Sequence, residues 1–299
     1  MRVVLGPLLG VGCVIDGAAI QTLAVQALNV SLMFSVGLEI QPTEVRTATR
    51  RWGTLLVITA LNFGAVPLVV LGLVRGVDLP YAVGAGLLLS ALAPGGGTGT
   101  LLTRVAGGNL ELSVVLLAIF TGLAVVLTPL LSLAMLSSDE VSLDLGSMLT
   151  TLVLFQLVPL CAGLALRSAH LRTASRANRL ARPTSNALFA ALVLGLLATQ
   201  GHLVPRVGAA GITVILLAVV TSLALPLVVP GSHRDRAALS LTTGVRNLSL
   251  ALLLSSAFFG DLTTITVLTY GLFMYLLAVP LALLFRRQLP RASITSVDS

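Results

Sequence analysis

Nine apolar stretches run through this chain of 299 residues, and each is a candidate for a helix that crosses a lipid bilayer. A helix needs about 20 apolar residues to cross the hydrocarbon layer. Only 10% of the residues are charged, against about 25% in a soluble domain, and the mean hydropathy is +1.03. The sequence therefore predicts an all-α membrane protein with many spans. The stretches are residues 22–38, 54–74, 79–104, 111–135, 146–166, 185–200, 208–229, 237–258 and 263–285.

A tenth apolar segment, Val3–Ile15, is short, but counting it as a span makes the loop charges alternate. Arginines collect in every second loop, and the positive-inside rule places such loops and both termini in the cytoplasm. The net charge of +7 reflects these loops and does not indicate nucleic-acid binding, because no basic stripe with interleaved aromatic residues occurs. The largest group is predicted to form the loop after residues 146–166 and consists of Arg167, Arg172, Arg176, Arg179 and Arg182.

Ten spans divide into two halves of five at the acidic loop around Asp139–Asp144. An odd number of spans gives the two halves opposite orientations, which is the inverted repeat of many secondary transporters. The predicted halves are residues 1–138 and 139–291, and residues 292–299 form a short polar cytoplasmic tail. The Pro-Leu-Val-Val sequence of Val66–Val70 recurs in Leu225–Val229, although Pro and Val are common in membrane helices. Later prolines follow in each half, at Pro129 and Pro280.

Two of the stretches are interrupted near their middle, one in each predicted half. The first interruption is Pro94–Thr100 and the second is Thr242–Asn247. Glycine and proline free backbone groups, which in lipid must find partners or line a polar cavity. Interrupted helices at corresponding positions in two halves indicate the binding site of a transporter. The simpler alternative is a pair of kinked structural helices.

Arg246 is the one charged residue predicted to lie deep inside a span. A charge at the bilayer centre costs at least about 2.5–3.5 kcal/mol on the insertion scale. The predicted span interiors contain no Asp or Glu, so the guanidinium must be solvated by neutral groups, by water or by an anionic ligand. We interpret Arg246 as an anion-binding group or a built-in cation. The alternative is an arginine that extends to the membrane interface.

Catalytic and cofactor chemistry is not supported by the sequence. The cysteines, Cys13 and Cys161, are isolated from each other, so neither a disulfide framework nor a zinc site is indicated. No Ser-His pair and no pair of carboxylates falls within the predicted spans. We therefore expect neither an enzyme nor a cofactor. All the histidines are predicted to lie in loops, at His170, His202 and His233.

Several motifs resemble those of one transporter family. They are Ala93–Gly96, Gly108–Val114, Met33–Leu38 and Ala238–Leu241, the last followed by Gly244 and Asn247. On these residues the chain resembles the bile acid:sodium symporter family over nearly its whole length. The resemblance implies a panel domain and a core domain in which two broken helices cross. It also implies organic anions as substrates, the bacterial inner membrane as location, and a monomer.

The departures from the family pattern concern its sodium ligands. The family's Ser-Asn after Pro-Gly-Gly is Gly99-Thr100 here, and a later Thr is Leu117. The family's Glu, which both sodium sites share, falls at Thr242, and its Gln falls at Arg246. The resemblance therefore implies that the acidic anchor is lost and that a guanidinium stands where the second sodium would sit.

The sequence predicts a secondary transporter of organic anions that works by alternating access with weak or no sodium coupling. A sodium-dependent symporter with neutral oxygen ligands and a non-transporting membrane receptor remain alternatives. A reduced sodium site is predicted from Ser113, Thr100 and Thr242. The predicted substrate-binding residues are Arg246, Asn247, Thr242, Thr243, Thr98, Thr100, Gly97 and Asn62.

Overall fold

The computed structural model describes residues 17–40, 51–137 and 143–288, and this part of the chain contains helices and no strands. The predicted span Val3–Ile15, the predicted boundary at residue 138 and the tail lie outside the described residues. Two 3₁₀ segments, Gly201–Val207 and Leu225–Val228, flank α8. The helices are α1 (Gly17–Glu39), α2 (Trp52–Gly76), α3 (Tyr81–Ala91), α4 (Gly97–Val105), α5 (Leu110–Leu136), α6 (Leu145–Ala169), α7 (Leu171–Gln200), α8 (Gly208–Ala224), α9 (His233–Gly244), α10 (Leu248–Phe258) and α11 (Asp261–Arg287).

Helical stretches that are long and apolar enough to cross a membrane number seven in the described part of the chain. Their outward faces carry large apolar side chains, among which Leu56, Leu68 and Leu194 are 61%, 58% and 67% exposed. Apolar surface on this scale is covered by lipid rather than by water. The structure therefore confirms an all-α, multi-pass membrane protein. The five-plus-five repeat remains a prediction.

The two longest uninterrupted apolar helices share the position of their proline. Pro129 lies 19 residues after the first residue of α5, and Pro280 lies 19 residues after the first residue of α11. Both helices have 27 residues, and each follows one of the broken helices. This shared layout is consistent with an internal repeat of the kind that the sequence predicts.

A π-helical turn precedes a proline in both α2 and α6. The turns are Leu61–Ala65 and Val153–Leu157, and the prolines are Pro67 and Pro159. Proline has no N–H, so the carbonyl four residues earlier loses its usual helical partner. In α6 that carbonyl belongs to Phe155, and it accepts a hydrogen bond of 2.7 Å from Asn29 Nδ2 of α1.

The basic segment after residues 146–166 is helical, which corrects the prediction of a loop. Arg167 lies in the last turn of α6, and α7 begins as early as Leu171 and runs through Pro183 without a break. Arginine is a good helix former, so a basic stretch that leaves the membrane need not end the helix. His202 and His233 also lie in helical segments, the second as the first residue of α9.

The second broken helix lies at the centre of the molecule. The apolar 18-residue window of the span His233–Phe258 is wholly buried by protein, whereas the corresponding windows of the other candidate spans are 28–50% buried. At the periphery, α1 packs closely against α6 through Gly37 and Gly163. A Cβ atom at Gly37 would lie 2.2 Å from the carbonyl oxygen of Leu160, so only glycine permits this approach.

Both breaks are shorter than the sequence predicts. The first covers residues 92–96, and α4 resumes at Gly97, so Thr98 and Thr100 are helical. The second covers residues 245–247, and α9 continues through Thr242 and Thr243 to Gly244. The cause of the first break is local, because Pro94 cannot donate a hydrogen bond and Gly95 has a φ of +84°. Glycine and threonine have low helix propensity, but tertiary packing can override it, and here these residues next to the breaks are helical.

Candidate functional site

The two breaks cross each other and are joined by hydrogen bonds between their main chains. The N–H of Gly96 donates to the carbonyl of Val245 over 3.1 Å, and the N–H of Asn247 donates to the carbonyl of Ala93 over 2.7 Å. The two bonds run in opposite directions and satisfy backbone groups that the interrupted helices leave free. The predicted crossing of the two broken helices is therefore present.

Glycines permit the close approach of the two broken helices at this crossing. A Cβ atom at Gly96 would lie 2.4 Å from the carbonyl oxygen of Arg246, and one at Gly99 would lie 3.0 Å from that of Leu241. Both contacts are with main-chain atoms, which cannot turn away as a flexible side chain can. Glycines in the first break and in the first turn of α4 thus permit packing against α9 and the second break.

A cavity of about 140 Å³ opens beside the crossing, and we call it the crossing cavity. It lies between α1, α4, α7, α10 and α11. Four predicted site residues line it, namely Gly97, Thr98, Arg246 and Asn247. Its other polar lining residues are Ser35, Glu39, Arg182, Ser185, Asn186, Ser249 and Tyr275.

The N-termini of α4 and α10 both meet the crossing cavity. Their first residues, Gly97, Thr98, Leu248 and Ser249, belong to its lining. The first N–H groups of a helix have no partner within the helix and carry partial positive charge, so such ends attract anions. Asn247 adds a side-chain donor, because its Nδ2 atom is buried without a hydrogen-bond partner among the described residues.

Arg246 is buried on the other side of the crossing, where only 1% of its surface is exposed. Its Nη1 atom donates to Asn62 Oδ1 over 3.0 Å, and its Nη2 atom donates to Ser222 Oγ over 3.1 Å. Asn62 in turn donates to Thr243 Oγ1 over 3.0 Å. The guanidinium is therefore held by neutral oxygens, and no described carboxylate forms an ion pair with it.

The position of Arg246 in the chain also favours a positive charge. It follows the C-terminus of α9, where the carbonyl groups of the last turn carry partial negative charge. The guanidinium thus occupies a place suited to a cation, and it is attached covalently. Arg246 belongs to the lining of the crossing cavity, but its Nη atoms form their hydrogen bonds with α2 and α8.

The residues predicted to form a reduced sodium site are only partly brought together. Ser113 Oγ and Thr242 Oγ1 form a hydrogen bond of 2.6 Å with each other, whereas Thr100 Oγ1 has no partner among the described residues and faces a different cavity. Hard cations in proteins are bound by several oxygen ligands at once. The described structure does not gather these three hydroxyl groups around one point, so the sodium site stays a prediction.

Several polar residues near the crossing were not predicted from the sequence. Ser222 belongs to an apolar span with no break, so no pattern identified it as a partner of Arg246. Tyr275 contacts Thr98, with 2.8 Å between the two hydroxyl oxygens. Asn29 accepts a hydrogen bond of 2.9 Å from Ser249 Oγ at the start of α10. A polar residue inside a predicted span is the signal that could have drawn attention to these residues.

Comparison with known proteins identifies relatives over part of the chain. A segment of 136 residues is 31% identical to the "Uncharacterized sodium-dependent transporter YocS" of Bacillus subtilis, covering 46% of this chain and 42% of that protein. A segment of 132 residues is 33% identical to the "Probable sodium/metabolite cotransporter BASS1, chloroplastic" of Arabidopsis thaliana, covering 44% of this chain and 32% of that protein. The chain thus spans less than half the length of these curated relatives.

The family comparison covers more of the chain. Residues 27–207, more than half of the 299 residues, match the family described as the Sodium Bile acid symporter family. This match includes the first break and the helices on both sides of it. The family consists of transporters and not of enzymes. On this match, together with the crossed broken helices, the chain belongs to the sodium bile acid symporter family.

Proposed function

We propose that this protein is a secondary transporter of organic anions that works by alternating access and does not bind sodium at the crossing. Bile-acid-like molecules and small carboxylates are the proposed substrates. The proposed location is the bacterial plasma membrane, with both termini in the cytoplasm. The protein is proposed to be a monomer. Family membership supports transport, and the following features support the choice of anion and of coupling.

The observation that carries the proposal is the convergence of two helix N-termini on the crossing cavity. Gly97 and Thr98 begin α4, Leu248 and Ser249 begin α10, and all four line the cavity. The donor at Asn247 Nδ2 adds to them. A carboxylate placed there would accept a hydrogen bond from Asn247 Nδ2, which has no partner among the described residues, and would lie in the positive field of the two helix N-termini, so its desolvation would be offset.

The absence of sodium coupling is inferred from Arg246. A sodium ion contributes a positive charge only while it is bound, whereas the guanidinium of Arg246 is charged at all times. Thr242 falls where the family has the Glu shared by both sodium sites, and its hydroxyl group is hydrogen-bonded to that of Ser113. The electrostatic condition for holding an anion near the crossing is then met at any sodium concentration.

The direct test is ligand binding and flux in sodium and in choline. Purified protein is titrated with taurocholate and with pantoate while thermal unfolding is followed, and uptake of the stabilising ligand is then measured in proteoliposomes. We expect stabilisation and uptake of equal size in the two salts. A response found only in sodium would overturn the coupling part of the proposal, and binding without uptake would indicate a receptor.

A gain-of-function variant tests the role of Arg246 more sharply. The double substitution Thr242→Glu with Arg246→Gln restores the residue types that the family resemblance assigns to the sodium sites. We expect ligand binding by this variant to depend on sodium, because a buried carboxylate needs a cation partner. Arg246→Gln alone supplies no carboxylate and is the matched control. If the double variant remains independent of sodium, Arg246 is not a substitute for a bound ion.

Sodium-dependent symport through neutral oxygens is the second candidate. The names of both curated relatives, which contain the word sodium, favour it. In that case Thr100, Ser113 and Thr242 would have to rearrange, because two of their hydroxyl groups are bonded to each other. The comparison of sodium with choline separates this candidate from the first.

A further inference from the structure

A second cavity, of about 500 Å³, lies next to the crossing cavity, and we call it the arginine cavity. Among the described residues, four arginines and one acidic residue, Glu39, line it. Its lining comes from α1, α4, α5, α6 and α7, so elements distant in sequence build it together. The arginines are Arg104, Arg167, Arg179 and Arg182.

The charges of the arginine cavity are only partly compensated. Arg182 Nη1 lies 2.8 Å from Glu39 Oε1, and Arg167 Nη1 donates to Ser175 Oγ over 3.2 Å. Within the described residues, Arg104 and Arg179 form no ion pair or side-chain hydrogen bond. A concave surface with an excess of unpaired guanidinium groups raises the local concentration of anions.

A buried hydroxyl group provides an independent sign of a ligand. Thr100 lines the arginine cavity, and its side chain is buried, with 7% of the residue exposed. Its Oγ1 atom has no hydrogen-bond partner among the described residues. Buried hydroxyl groups normally have a partner, so this one is free to bind a group within the cavity.

The ion pair between Arg182 and Glu39 separates the two cavities. Glu39 and Arg182 are the residues that belong to the lining of both. The side chain of Arg182 is 39% exposed and that of Glu39 is 30% exposed, so neither is locked in the protein interior. Partly exposed ion pairs contribute about 1 kcal/mol or less to stability, so an anionic group can displace Glu39 from Arg182.

We propose that the ligand is an organic dianion that occupies both cavities. Its first acidic group binds at the helix N-termini of the crossing cavity, and its second binds the arginines of the arginine cavity and Thr100. Arg182 changes partner from Glu39 to the ligand when the dianion spans the boundary. This inference rests on the proposed function and narrows its substrate class to molecules with two separated negative charges.

The test compares dicarboxylates with monocarboxylates of the same chain length. Linear acids of four to eight carbons are titrated into the detergent-purified protein, and dissociation constants are measured by calorimetry. We expect at least one dicarboxylate to bind about tenfold or more tightly than its monocarboxylate. The length of the best ligand reports the separation of the two subsites.

Arg179→Gln is the diagnostic variant, and Arg176→Gln is its matched control on the same helix, outside the lining of both cavities. We expect Arg179→Gln to remove most of the preference for the dicarboxylate and to leave monocarboxylate binding unchanged. Arg176→Gln should change neither.

The outcomes separate this inference from the proposed function. If monocarboxylates bind as tightly as dicarboxylates at every length, the dianion inference is wrong and the proposed function stands. The dianion inference is likewise wrong, and the proposed function stands, if the Arg179→Gln variant keeps the preference for the dicarboxylate over the monocarboxylate. If the wild-type protein binds neither these acids nor the ligands of the sodium test, both proposals are wrong.

Discussion

Arg246 is a buried cation that is stabilised by neutral partners. Removing a charge from water costs several kcal/mol, and hydrogen bonds must offset that cost. Asn62 and Ser222 provide two such bonds, and Tyr270 lies beside the guanidinium. The two hydrogen-bond acceptors come from different helices, so the charge joins α2 and α8 to the second break.

The variant Asn62→Leu tests this dependence. It removes the acceptor of Arg246 Nη1 and the donor to Thr243, and it leaves a buried charge with fewer partners. We expect the free energy of unfolding to fall by about 2 kcal/mol, measured by denaturation in detergent. Asn186→Leu is the control, because Asn186 is exposed and forms no side-chain hydrogen bond in the described structure. Equal losses in the two variants would show that Asn62 has no special role.

At the residue scale, the sequence singled out residues that are unusual for their surroundings. Arg246 and Asn62 are polar residues in apolar spans, and both were identified from the sequence, although their mutual contact was not. Ser222 escaped notice because serine is common in membrane helices and can bond its own backbone, as it also does here to Ala218. The contact between Arg246 and Ser222 depends on how α8 packs, which no local pattern encodes.

At the scale of elements, the crossing depends on the absence of side chains at Gly96 and Gly99. In Gly96→Ala the added Cβ would lie 2.4 Å from a main-chain oxygen of the other break. We expect the two breaks to move apart and the hydrogen bond from the Gly96 N–H to be lost. The melting temperature and the affinity for ligand should both fall markedly.

Gly122→Ala is the matched control for Gly96→Ala. Gly122 lies within α5, and a Cβ atom there meets nothing within 4 Å. Alanine is favoured over glycine in a helix by about 1 kcal/mol, so this variant should be as stable as the wild type or more stable. Ligand binding that survives Gly96→Ala unchanged would contradict the close packing of the breaks.

The extent of elements was predicted well in apolar segments and poorly at their polar ends. The hydrophobic pattern located the nine described stretches because segments that cross the hydrocarbon layer are predominantly apolar. It could not show that α7 begins at Leu171, since an arginine-rich helix outside the membrane resembles a loop in composition. It also missed the π-turns, and in the π-turn of α6 the Phe155 carbonyl accepts a hydrogen bond from Asn29 of α1, a distant contact that no local pattern encodes.

At the scale of the whole molecule, one carboxylate fastens three elements at one end of the bundle. Asp235 Oδ2 accepts a hydrogen bond from Arg51 Nη1 over 3.0 Å, and its Oδ1 accepts one from Asn109 Nδ2 over 2.7 Å. Asp235 also forms a capping box with Ser232 at the start of α9. The beginnings of α2, α5 and α9 are thereby held together.

The variant Asp235→Asn tests this fastening. It removes the ion pair and weakens the capping box, and we expect the free energy of unfolding to fall by about 1 kcal/mol. The loss should shrink as salt is raised, because the ion pair is partly exposed and therefore screened. Asp78→Asn is the control, since Asp78 is exposed and has no described partner. A loss that does not vary with salt would show that the ion pair contributes nothing.

The crossing of the two breaks has an evolutionary consequence. Main-chain groups and glycines hold it together, so its geometry does not depend on which side chains flank it. A lineage can then replace an ion-binding carboxylate with threonine, or a glutamine with arginine, without losing the architecture on the way. Transporters that share one fold can in this way differ in the ion gradient to which transport is coupled.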